Sequence, residues 1–156
     1  MLFQSARKAF ARKLDTAAIE AATRKAEQGT TGEIRVSVLS RQLGPIAEVA
    51  ERVAQRLGMT ETRERNGVLI LVEPAGRRFV IWGDRAIHEK LGEKFWVAAA
   101  DAMAERFGRG DFTGGIVHGI EALGLQLAKH FPSVAGKRVN QLPDGVDLGG
   151  QPLQCV

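Results

Sequence analysis

The chain has 156 residues, 44% hydrophobic and 26% charged, a balance that builds one folded domain with its own core and excludes a disordered or fibrous protein. Its longest aliphatic stretch, Val68 to Val72, is far short of the roughly 18–20 residues that a membrane-spanning helix needs, so stable membrane insertion is not expected. The formal charge is +4, but Arg7, Lys8, Arg12 and Lys13 carry the whole excess in a stretch with no acid before Asp15; a nucleic-acid binder would spread basic residues over a folded face, so no nucleic-acid partner is expected.

Residues 1–13 read as a basic N-terminal arm in which Phe3 and Phe10, with Leu14, share a helical face opposite Arg7, Lys8 and Arg12. Such a helix packs on its own domain or a second copy, with an anionic membrane as the alternative. No apolar run precedes a small-residue cleavage site, so a cytoplasmic location is expected.

Asp15 is placed to cap a helix through Ile19, Ala22 and Ala26 that stops at the turn-rich segment 28–32. Glu33 to Ser40 alternates Ile34, Val36 and Val38 with Arg35, Ser37 and Leu39, the period of a strand. Pro45 opens and Gly58 closes a helix carrying Ile46, Val49, Val53 and Leu57. Asn66-Gly67 leads into Val68–Val72, an apolar run suited to a strand covered on both faces. The segment 73–76 is turn chemistry and Phe79–Trp82 returns as an antiparallel strand ending at Gly83-Asp84.

Ile87, Leu91, Phe95, Ala99 and Met103 keep a helical spacing that Gly92 divides into a short and a long piece. Ile116 to Phe131 repeats as a last helix, stopped by Pro132. Residues 133–156, with Pro143, Pro152 and four glycines, read as an irregular, loosely held tail.

The fold class predicted is α/β, in the order α-β-α-β-β-α-α: a small three-layer α/β/α sandwich over residues 14–132, with a parallel pair joined by a crossover and an antiparallel hairpin.

Five landmarks occur in order: Thr31-Gly32-Glu33-Ile34-Arg35-Val36, Asn66-Gly67-Val68-Leu69-Ile70, Gly83-Asp84, Phe95-Trp96 and Phe107-Gly108-Arg109-Gly110-Asp111-Phe112. With these the chain resembles the TPM domain family over roughly residues 14–132. The resemblance implies kinship with a thylakoid-lumen acid phosphatase of photosystem II repair and with proteins that bind calcium or magnesium. Two departures stand out. A signal peptide and a membrane anchor or Gly-rich tail, common in the family, are not visible here, as in its short cytoplasmic branch. The acidic, Gly-rich loop that many relatives carry after the third strand is reduced to Trp82-Gly83-Asp84-Arg85, which weakens a phosphatase assignment.

Other motifs have plainer readings. Arg109-Gly110-Asp111 spells an adhesion tripeptide by coincidence, and Gly115-x-x-x-Gly119 lets the last helix approach a neighbour closely. His88, His118 and His130 share no metal-ligand spacing, no phosphate-cradling Gly-Lys-Ser/Thr loop occurs, and Cys155, near the terminus, is assigned no role.

Strand direction brings the start of the first strand, the start of the second and the end of the third to one edge. Glu33, Glu64, Asn66 and Asp84 are therefore expected to converge as oxygen ligands for calcium or magnesium; the resemblance adds Asp111, which lies in one of its landmarks, as a further candidate. The plainer alternative leaves Glu33 solvated and uses Asp84 to cap the following helix. Function is expected to be a non-catalytic divalent-cation-binding module with no protein partner identified; the alternative is a metal-dependent acid phosphatase with no catalytic residue assigned.

Overall fold

The computed structural model describes residues 2–134 and 141–148, with side chains from residue 5 onward. Phe3's side chain, Lys137, Arg138, Pro152 and Cys155, and the glycines at 136, 149 and 150, lie outside that description.

Local chemistry sets the element boundaries. Helix α1 spans Leu2–Lys13, and Asp15 then starts α2, Thr16–Glu27, by accepting the Ala18 N–H at 3.0 Å. Strand β1, Glu33–Val38, leads through Pro45 into α3, Ile46–Arg56, which Gly58 closes at φ +76° before a single 3-10 turn at Met59–Glu61. Strands β2, Gly67–Glu73, and β3, Arg78–Gly83, form the hairpin. Helices α4, Arg85–Lys90, and α5, Glu93–Gly108, are separated at Leu91-Gly92, and α6 spans Phe112–His130.

The sheet order is β1-β2-β3. Glu33 pairs with Gly67 in the parallel ladder and Val68 with Gly83 in the antiparallel one, so the start of β1, the start of β2 and the end of β3 share an edge as expected. Every residue of β1 and β2 is buried. On one face, Ile34, Val36, Val38, Val68, Ile70, Phe79 and Ile81 meet Phe10 of α1, Ile19 of α2 and the apolar faces of α4, α5 and α6. On the other, Leu69, Leu71, Val80 and Trp82 meet Val49, Ala50, Val53 and Ala54 of α3. This is the α/β/α sandwich, with most helices on one side. Full burial of a side chain such as Ile70 or Leu71 stabilises by about 1.5–3 kcal/mol.

Gly115 and Gly119 serve close helix packing. A Cβ on Gly115 would meet the Phe107 ring at 2.5 Å, and one on Gly119 would meet Met103 Sδ at 2.6 Å. Arg109-Gly110-Asp111 is the α5–α6 connection, with Gly110 at φ +79° and Asp111 accepting the Gly114 N–H at 2.9 Å to cap α6.

The basic arm packs on its own domain, as expected for such a helix, whereas the tail is held more tightly than its sequence suggests. The basic arm is a helix whose Phe10, with Leu14, is buried in the main core. The tail is irregular in backbone but not loose over residues 141–148. Val38 N–H donates to Asp147 O and Asp147 N–H to Val36 O, each at 2.8 Å, adding one parallel bridge at the β1 edge. Leu142 packs on the α3-side core and Val146 on the other. The polar row of β1 receives this strap: Glu33 Oε1 accepts the Gln141 N–H at 2.6 Å, Arg35 donates to Gly145 O at 3.3 Å, and Ser37 donates to Asp147 Oδ2 at 2.7 Å. Burial pushes the Arg35 pKa down, opposed by the charge of Asp147. Glu33 is fully buried, so the solvated alternative for it does not hold.

Candidate functional site

At the amino edge of the parallel pair, the segments entering β1 and β2 lie side by side. Thr31 donates its hydroxyl to Glu64 Oε2 in a short contact. Asn66 Nδ2 donates to Thr31 Oγ1 at 3.1 Å and to Glu64 Oε2 at 3.2 Å. Asn66 is fully buried, and its Oδ1 receives no hydrogen bond from the described residues. Glu33 lies at the same edge, held by the strap.

Asp84 reaches this edge but is committed elsewhere. Arg65 donates Nε to Oδ2 at 2.6 Å and Nη2 to Oδ1 at 3.0 Å, and Oδ1 also caps α4 through the Arg85 N–H at 2.7 Å. These hydrogen bonds raise the Arg65 pKa. Arg65 adopts φ 52°, a left-handed conformation unusual for arginine. The helix-capping alternative for Asp84 is therefore realised, together with an ion pair.

Asp111 does not join the group. The C-terminal end of α6 is the one beside the amino edge, where Thr30 Oγ1 donates to Leu127 O and Thr31 N–H to Phe131 O. Asp111 caps the other end of this 19-residue helix, about 27 Å away at 1.5 Å per residue. No group of three or more His, Cys, Asp or Glu side chains among the described residues is arranged to hold a metal ion. What the edge offers is Glu64, Asn66 and Thr31, with Glu33 nearby: hard oxygen donors, two of them carboxylates.

The opposite edge carries a second constellation that sequence reasoning missed. Glu73, at the end of β2, is buried and accepts from Arg78 Nε at 3.0 Å, Arg78 Nη2 at 2.7 Å and the Gln42 N–H at 2.8 Å. Burial pushes the Glu73 carboxyl up, but the hydrogen bonds from Arg78 and Gln42 and the Arg78 charge outweigh it and hold the pKa below the usual range. Arg78 also ties the loop before α3 through the carbonyls of Gly44 and Gln42.

Beside this pair opens a cavity of about 580 Å³ lined by Phe10, Val72, Phe79, Phe107, Phe112 and Arg77, among others. Its rings form a chain, with centroids 4.7 Å apart for Phe10 and Phe112, 5.7 Å for Phe112 and Phe107, and 5.0 Å for Phe107 and Phe79. Each phenylalanine comes from a different element and in its own segment reads as ordinary core. The only sequence signal is that all four lie near element ends.

A family model described as the TPM domain matches residues 9–126. The chain belongs to the TPM domain family. The match begins inside α1, in keeping with the burial of Phe10 in the core of this TPM domain. The structure is similar to that of the BA42 protein from the psychrophilic bacterium Bizionia argentinensis, at 36% identity, covering 86% of this chain and 92% of that one with a TM-score of 0.80. Two further structures share the TPM fold alone. They are the N-terminal domain of the cg2496 protein of Corynebacterium glutamicum (18% identity, 80% and 76% coverage, TM-score 0.56) and that of a P. gingivalis protein (18%, 73% and 76%, TM-score 0.60). No functionally curated protein matches the chain. Among the described residues of this TPM domain, no helix is long and apolar enough to cross a membrane.

Proposed function

We propose that this TPM domain is a non-catalytic module that takes a hard divalent cation, calcium or magnesium, at the amino edge of its parallel strands. The carrying observation is Asn66 Oδ1, an amide oxygen fully buried beside Glu64 and Thr31 with no donor from the described residues. A buried acceptor of this kind costs stability unless something positive meets it. Oxygen-only donors of this hardness suit calcium or magnesium rather than zinc. Glu64 would supply charge, Asn66 the buried oxygen, and Glu33 a second carboxylate. The carboxylates that a phosphoester hydrolase would draw on are held by arginines, Asp84 by Arg65 and Glu73 by Arg78, which favours the binding reading.

With so few acidic ligands, affinity should be weak, with Kd on the order of 10⁻⁴–10⁻³ M. The test is a calcium and magnesium titration of chelator-treated protein followed by amide chemical shifts, with phosphatase activity assayed in parallel. Saturable shifts at residues 31–33 and 64–67, weakened by Glu64→Gln and retained in Asp84→Asn, are expected. No shifts at millimolar metal, or binding untouched by Glu64→Gln, would remove the site. Metal-dependent hydrolysis abolished by Asp84→Asn would replace it with the enzymatic reading.

A further inference from the structure

The aromatic cavity lies at the other end of the sheet, about 20 Å along β2 from the cation edge at 3.3 Å per residue, and is independent of it. Its volume falls within the roughly 300–1,000 Å³ of small-molecule sites, and its walls are mostly apolar with few polar groups. It opens beyond the carboxyl ends of the parallel pair, the side of an α/β sheet on which ligands collect. Phe79, Phe107 and Phe112 are only part-buried, so their rings present apolar surface that a ligand would cover.

Two observations at the rim give the ligand its charge. Arg78 spends its guanidinium on Glu73, which leaves the neighbouring Arg77 exposed and without an ion pair among the described residues. Arg77 also stands at φ 52°, the turn position where glycine is the unstrained choice, directly after Gly76. An arginine held in that conformation at a cavity mouth is a strained residue of the sort that gathers at ligand sites.

We propose that this cavity binds an amphipathic anion, a free carboxylate on a medium-length apolar tail, with the tail among the four phenylalanine rings and the head on Arg77. The charge is specified by Arg77 and the body by the rings; neither part alone would suffice. An acyl carboxylate meets both requirements, whereas a cationic amphiphile would place its charge against a guanidinium and a short anion would leave the rings uncovered.

The test is titration of the full chain with octanoate below its micelle range, followed by amide chemical shifts, with acetate and octylammonium in parallel. Octanoate should shift residues 77–79 and 107–112 saturably, acetate should not, and octylammonium should bind markedly more weakly. Arg77→Gly should lower octanoate affinity roughly tenfold, the loss of one charge-assisted contact, while leaving the melting temperature unchanged or raised because the turn strain is relieved. Absence of saturable shifts, shifts mapping away from the cavity, octylammonium binding as well as octanoate, or an Arg77→Gly variant that binds normally would each overturn the proposal.

Discussion

Replacing Asp147 by alanine tests whether the strap is part of the fold. The side chain accepts from Ser37 at 2.7 Å and from Arg56 at 2.9 Å, and Ser37 is fully buried. The Ser37 contact, to an ionised acceptor, is worth about 1.5–3 kcal/mol, and its loss strands a buried hydroxyl. The Arg56 pair is more exposed, with 38% of the arginine side chain accessible, and adds only about 0–1 kcal/mol. Asp147 is also the strongest counter-charge to the mostly buried Arg35, so its removal costs there as well. Together these give a loss of about 2–3 kcal/mol, or a melting temperature lower by roughly 5–10 °C for a domain of this size. Urea and thermal unfolding of Asp147→Ala, Ser37→Ala and the double variant supply the measurement, and the cycle isolates the Ser37–Asp147 coupling. Strictly additive single effects, or an Asp147→Ala melting temperature within a degree of wild type, would refute the reasoning and return the tail to a loosely held role.

Stability should also fall in acid through Glu73. Its carboxyl pKa is depressed in the folded state, so its contribution is present above the ordinary value of 4.5 and is lost as pH drops through the lower folded value. Glu73→Gln should flatten melting temperature against pH below that point, and parallel curves for variant and wild type would contradict this. Gly119→Ala should destabilise by about 1–3 kcal/mol because its Cβ would drive into Met103 Sδ and crowd Ile70 Cδ1. In a Met103→Ala background the cost of Gly119→Ala should shrink, and an undiminished cost there would argue against the clash.

Period-2 alternation at Glu33–Val38, the Asn66-Gly67 start and the 73–76 turn made the sheet and its directions legible before any coordinates, and with them the shared edge of Glu33, Asn66 and Asp84. What stayed hidden depends on tertiary geometry. The hold of Arg65 on Asp84 spans 19 positions and needs a left-handed arginine, which no propensity announces. The location of Asp111 followed from the direction of α6 across the sheet, which its spacing alone does not reveal. The strap docks largely through main-chain groups, so Leu142-Pro143-Asp144-Gly145 shows no periodicity although Leu142 and Val146 are anchors. The aromatic cavity combines Phe10, Phe79, Phe107 and Phe112 from four elements, and no window of sequence contains more than two of them near each other.

Because Glu33, Arg35 and Ser37 find their partners 108 to 110 positions further along the chain, β1 cannot be completed when it is made. During synthesis all three strands are made before residues 141–148, which follow the last helix. Until then three polar side chains on an apolar sheet stand open to water and to other chains. Closing so long a loop adds little entropy cost beyond a shorter one, but it does impose an order in time. Docking of the strap covers the outer edge of β1, an unpaired strand edge that would otherwise be open to other chains.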